Sequence, residues 1–133
     1  MNEPSWVKLD RVLAIHDVQL ARHGGTAGIR DQKLLESIVA RPEHMYQTDP
    51  QSSLSQLAAA YSIGLAAERP FLDGNKRTAL LTAALFLAKN GFFLNVQQPE
   101  AVIATIRMAS GDWKEAPFGA WLQQHIQQHS VQI

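Results

Sequence analysis

The sequence predicts an all-α fold, a bundle of about six helices with one buried helix at its centre. Three observations carry that expectation. Apolar residues recur at three- and four-residue spacing along most of the chain, the segment from Ala79 to Leu87 is apolar on nearly every side, and a single short run, FFLNV, reads as extended.

The first stripe is Leu9, Val12, Leu13, His16 and Leu20, and Gly24-Gly25 stop it. The loop GGTAGIR leads to Asp31, a good N-cap, after which Leu34, Leu35, Ile38 and Val39 form one face until Pro42, which is expected to close a short second helix. Pro50 and a Ser-rich turn precede Leu54, Leu57, Tyr61 and Leu65, a single-sided third helix that runs to Glu68. The fourth begins after Asn75 and carries Ala79, Leu80, Leu81, Ala83, Ala84, Leu85, Phe86 and Leu87 before Lys89-Asn90-Gly91 closes it. Its all-round apolar surface makes it the expected central helix. Beyond FFLNV, Pro99 sits at a plausible first helical position, with Val102, Ile103 and Ile106 marking a fifth helix. Phe118, Trp121, Leu122, His125 and Ile126 mark a sixth with a Gln-rich polar back. No repeat, linker or low-complexity tract interrupts these elements, so residues 1–133 are expected to form one domain.

Composition narrows the function. Twelve basic residues balance twelve acidic ones, which argues against direct binding to nucleic acid or to an anionic membrane and confines any cationic function to a local pocket. The absence of cysteine removes thiol nucleophiles, disulfides and cysteine-ligated zinc together. The start, MNEPSWVKLD, lacks the basic and apolar regions of a signal peptide, and the run ALLTAALFLA is too short to span a bilayer, so a cytoplasmic location is expected.

The chemistry concentrates in ERPFLDGNKRTA, residues 68 to 79. A helix N-terminus presents unpaired N–H groups and a partial positive charge, and so attracts anions before any side chain is considered. Here Gly74 permits close approach to the backbone, Asn75 can orient the turn or donate its amide, and Lys76 and Arg77 add two full charges. Asp73 would repel a bare phosphate; an acid beside a phosphate cradle points instead to a magnesium nucleotide, since Mg²⁺ binds through few carboxylates plus phosphate oxygens. Phe71 and Leu72 are expected to anchor the loop in the core. The plainer alternative makes Asp73 an N-cap, Gly74 a turn and the two cations a solvated first turn.

The longer context resembles the Fic/Doc family. PFLDGNKRTA followed by an apolar helix is similar to that family's His-x-Phe-x-Asp/Glu-Gly-Asn-x-Arg loop, and VLAIHDVQLARHGGTAGIRDQKLLESIVARP looks like the opening of Doc-type (death-on-curing) toxins; the two blocks lie within residues 12 to 92. The resemblance implies a Fic-fold bundle that binds ATP and Mg²⁺ at the signature loop, with Asp73 on the metal and Gly74, Asn75, Lys76 and Arg77 around the phosphates. Fic proteins proper usually have Gly after the Asn and transfer AMP, whereas Doc-like members carry Lys there, as Lys76 does, and resemble protein kinases in outcome. By that likeness the target is a threonine of elongation factor Tu, whose modification arrests translation. Leu80 stands where many Fic signatures have a second Arg, which further weakens the AMP-transfer alternative.

One residue departs from the pattern. The family's general base is a His, and Arg69 occupies its position. A guanidinium stays protonated and has no acceptor lone pair, so Arg69 cannot take a proton from a hydroxyl. Loss of a general base typically costs about 10²- to 10⁴-fold in rate. A detoxified variant, a natural pseudo-enzyme that only binds, or recruitment of another base would each account for it.

The remaining candidates read structurally. His16 on the first stripe suits a hydrogen-bonded core or groove-lining histidine; His23 suits a helix-end cation; His125 and His129 share a helix face without a third ligand; Trp113 and Trp121 suit packing around the last helix. Gly24, Gly25 and Gly28 make a loop able to contact a protein target. No Glu is followed by Gly or Asn, so the built-in inhibitory helix of some Fic relatives is not visible. The Doc resemblance implies inhibition in trans by a Phd-like antitoxin whose C-terminal segment folds as a helix into a groove of the toxin.

Overall fold

The computed structural model describes residues 2–128. Its elements in chain order are α1 (Leu9–His23), α2 (Gln32–Thr48), α3 (Leu54–Glu68), α4 (Asn75–Lys89), β1 (Phe92–Leu94), α5 (Gln98–Ser110), α6 (Glu115–His125) and β2 (Ile126–Gln128). The all-α expectation holds, with six helices and one small two-stranded sheet among the described residues. None of these helices is long and apolar enough to cross a membrane.

Helix starts follow the local chemistry. Asp31 caps α2 by accepting from the Leu34 N–H at 3.1 Å. Ser53 and Gln56 form a reciprocal capping box at α3. Pro42 does not end α2: the helix continues through it to Thr48, and Pro42 itself is buried. Losing one N–H is outweighed there because the next turn packs Met45 and Tyr46 against the core.

The centre belongs to α3 rather than to α4. Every residue from Leu57 to Ala66 is buried, and α3 packs on α2, α4, α5 and α6. Its small residues Ala58, Ala59, Ala60, Gly64 and Ala66 allow neighbouring helices to approach closely; a Cβ at Gly64 would stand 2.7 Å from Ile38 Cγ2. α4 by contrast leaves Leu81 exposed. Tyr61 ties the N-terminal segment to the core, donating to the Val7 carbonyl at 3.2 Å and accepting from the Val7 N–H at 3.0 Å.

The fifth helix lies where Val102, Ile103 and Ile106 mark it, although those three side chains are exposed and α5 packs through Ala104 and Met108. One further expectation is corrected. Ile126 does not extend α6 but opens β2, which pairs antiparallel with β1 in the register Leu94 opposite Ile126 and Phe92 opposite Gln128. Trp113 and Trp121 do pack around α6, each within 6.3 Å of the Phe118 ring centroid.

Candidate functional site: the mouth of α4

The segment between α3 and α4 is drawn into place by the chain between α1 and α2. Pro70 O accepts from the N–H groups of Arg30 and Asp31, at 2.7 and 3.1 Å, and Leu72 N donates to Gly28 O at 3.1 Å. This pairing forms an isolated antiparallel bridge between Ile29 and Phe71. The glycine-rich loop is therefore fastened to the signature loop. Gly25 approaches so closely that a Cβ there would lie 3.1 Å from Asp73 Cβ.

Phe71 is the apolar anchor, 1% exposed, with the His16 ring stacked on it at a centroid distance of 3.7 Å. His16 Nε2 also lies 2.7 Å from the Asp73 carbonyl oxygen. His16 is thus a buried prop beneath the turn, and it touches it from α1. Leu72 does not anchor: it is 46% exposed and lies over Gly28. Alternation of side-chain direction along the extended residues sends Phe71 inward and Leu72 outward.

Gly74 takes a left-handed conformation, φ 81°, immediately before α4, and no side chain caps that helix end. The turn is closed from below by Asn75, which is buried: its Oδ1 accepts from Phe71 N and its Nδ2 donates to Phe71 O, both at 3.0 Å. Of the two roles expected for Asn75, the side chain performs the first, orienting the turn; only its backbone N–H faces the helix mouth with those of the first turn.

Charges gather around this opening. Asp73, Lys76 and Arg77 are exposed, as is Arg69 at the end of α3. Among the described residues, none of the four is in an ion pair within 4 Å. One Asp73 oxygen, Oδ2, accepts from the Thr26 N–H at 2.7 Å, which leaves Oδ1 for another partner. No group of three His, Cys, Asp or Glu residues among those described would hold a metal alone. A single free carboxylate oxygen beside an uncapped helix end does fit a magnesium ion that takes its other ligands from phosphates and water. A cleft of about 570 Å³ lies elsewhere, lined by Arg41, His44, Met45 and Glu115 among others.

Reasoning from the sequence missed Thr26, which acts through its backbone, and Arg30, whose guanidinium donates to the carbonyls of Glu68 and Arg69. A cation inside a glycine-rich loop was the available signal for Arg30. The metal-pair alternative for the C-terminal histidines gains nothing: His125 bonds through Nδ1 to the Trp121 carbonyl, 2.8 Å, and approaches Glu100 with Nε2, while His129 lies outside the described residues. His23 lies in the last turn of α1.

The chain is 33% identical over 103 residues to "Protein kinase doc" of Escherichia phage P1, an overlap that covers 77% of this chain and 81% of that protein. It is 44% identical over 69 residues to "Toxin Doc" of Mycolicibacterium smegmatis, which covers 51% and 53% respectively. The model of the Fic/DOC family matches residues 6–87, the span from the first core residues through α4 that builds both the bundle centre and the helix mouth, and the chain belongs to that family.

Proposed function

We propose that this chain is the toxin component of a toxin–antitoxin pair, built to move the γ-phosphoryl group of Mg-ATP to a hydroxyl of a protein target and impaired in that step at position 69. The observation that carries the reading is the uncapped α4 mouth, where Gly74 turns left-handed and Asp73, Lys76 and Arg77 stand exposed without ion-pair partners among the described residues. Phosphoryl transfer depends chiefly on positioning and on stabilising charge, and this inventory supplies both.

Asp73 would hold Mg²⁺ through the oxygen that Thr26 leaves free. The ion, when bound, neutralises charge on the phosphates. The first-turn N–H groups of α4, with the Lys76 and Arg77 side chains, would receive the phosphate oxygens, and Gly74 would keep the approach clear of a side chain. His16 and Asn75 hold this turn still from beneath. What is missing is an acceptor for the hydroxyl proton, because Arg69 has none to offer. The name of the phage relative supports a kinase, and elongation factor Tu is the target that the Doc likeness implies. A Phd-like antitoxin, a cytoplasmic setting and one domain over residues 1–133 complete the proposal.

A second reading rests on Arg69 itself: a module that binds nucleotide, antitoxin or target without turnover. One assay separates the readings. Elongation factor Tu is incubated with Mg-ATP and either this chain or its Arg69→His variant, and the mass added to the target is measured. A phosphoryl group added by the variant alone is the expected result. Addition of a whole AMP would instead assign nucleotidyl transfer, and no addition by either protein would favour the silent module or another target.

A further inference from the structure

The main chain makes an unusual turn at Arg69. With φ 55° and ψ 62°, it is the one described non-glycine residue at positive φ. L residues hold that conformation only when their surroundings impose it. One of the usual devices is unavailable here. In the Schellman motif the residue after the left-handed one returns its N–H to a carbonyl of the last turn, and that residue is Pro70, which has no N–H. Pro70 also bars residue 69 from the right-handed helical region, so an unrestrained chain would relax to extended backbone.

The restraint comes from another segment. Arg30 Nε donates to Arg69 O at 2.6 Å and its Nη2 donates to Glu68 O at 2.7 Å, so one planar guanidinium grips two consecutive carbonyls left open at the end of α3. We infer that Arg30 is a positioning residue, whose grip on the carbonyls of residues 68 and 69 fixes the left-handed backbone at 69 and thereby the direction in which the side chain there leaves the chain. The inference rests on the phosphoryl-transfer reading, in which position 69 is where the base stands.

A simpler role as a staple between loops does not account for the geometry. The two loops are already joined by the bonds from Arg30 N and Asp31 N to Pro70 O, from Leu72 N to Gly28 O and from Thr26 N to Asp73 Oδ2. The Arg30 side chain is exposed and adds to these only the hold on residues 68 and 69. Its removal leaves the loops attached and frees one backbone pair.

The test places Arg30→Ala and Arg30→Lys in the Arg69→His background and measures kcat, KM for ATP and thermal unfolding. Arg30→Ala should lower kcat by about 10- to 100-fold, as a misplaced catalytic group does, with KM and Tm little changed. Lysine, which keeps the charge and can donate to these carbonyls but lacks the planar fork, should restore part of kcat. Equal kcat with and without the guanidinium, or a lysine variant no better than alanine, would overturn the positioning role. A second measurement needs no activity: NMR Cα shifts and amide couplings of residue 69, in the otherwise unaltered chain, should move from left-handed to extended values on Arg30→Ala. Retention of left-handed values would overturn the inference. If Arg69→His transfers nothing, the phosphoryl-transfer reading fails by itself, and the NMR result still decides whether Arg30 sets this backbone.

Discussion

His16 Nε2 lies 2.7 Å from the main-chain oxygen of Asp73, and the same ring stacks on Phe71 with its plane 10° from parallel. A carbonyl can only accept, so the Nε2 position carries the hydrogen of this bond. One residue of α1 therefore sets both the depth of the loop and the orientation of the Asp73–Gly74 peptide. His16→Phe retains an aromatic ring for the stack and loses the bond. We expect it to lower stability by about 1 kcal/mol and to weaken Mg-ATP binding. His16→Ala also opens a cavity and should cost about 2–4 kcal/mol. Thermal unfolding and calorimetric titration read the two effects separately; undiminished Mg-ATP affinity in His16→Phe would show that the prop is structural only.

Asp73 gives a prediction whose sign depends on the ion. Without Mg²⁺ its carboxylate opposes the phosphates, and with Mg²⁺ it holds the ion that draws them in. Asp73→Asn should therefore bind ATP more tightly than the parent in chelator and more weakly in excess magnesium. For an exposed charge the effect in each direction is about 1 kcal/mol, or roughly fivefold in Kd. The amide oxygen can still accept from Thr26 N, so the loop contact survives. A loss of affinity of the same size in both conditions would place Asp73 outside the metal site.

The helices that could be read from the chain are those whose burial is one-sided and whose side chains are large, as with Val12 and His16 in α1 or Leu35 and Ile38 in α2. α3 rather than α4 is central because small residues, Ala, Ser and Gly, stand among its Leu57, Tyr61, Ile63 and Leu65, and position in a bundle depends on how closely neighbours can approach. The end of α6 could not be read locally, since Ile126 becomes a strand only because Leu94 pairs with it across the intervening α5 and α6. Asp73, Lys76 and Arg77 were legible as a group because a helix start and its charges are adjacent in sequence. His16 and Arg30 were legible only as residues: their tasks are set by contacts with a segment about forty to sixty positions away, which local patterning does not encode.

Two neighbouring glycines separate backbone strain from steric contact. Gly24 has φ 77° with open space where a Cβ would point, whereas Gly25 has φ 121° and its Cβ would stand 3.1 Å from both Asp73 Cβ and Leu20 Cδ2. Gly24→Ala should cost about 1 kcal/mol or somewhat more from its positive-φ backbone alone. Gly25→Ala should cost more, about 2–3 kcal/mol, because packed neighbours must shift as well. It should also displace Asp73 and weaken Mg-ATP binding, which Gly24→Ala should leave intact. Equal behaviour of the two variants in denaturant unfolding and nucleotide titration would contradict the close approach of the glycine loop to Asp73.

Tyr61 makes alkaline stability a probe of the core. Burial pushes its phenol up from 10.0 to about 12, against the smaller opposing effect of its bond to the Val7 backbone. The folded state thus favours the neutral phenol more than the unfolded chain does. Below pH 10.0, where both states are neutral, the contribution is fully present; between pH 10.0 and about 12 the unfolded chain ionises first and stability falls; above that range it levels off. Tyr61→Phe should remove this component of the alkaline decline. Its cost near neutrality should be about 1–3 kcal/mol, because the Val7 N–H and carbonyl lose their buried partner. Denaturant unfolding of both proteins from pH 8 to 12 measures the difference directly. A variant that loses stability with pH as steeply as the parent would mean that Tyr61 ionises in the folded state as it does in water, and that the N-terminal segment does not seal Tyr61 from solvent.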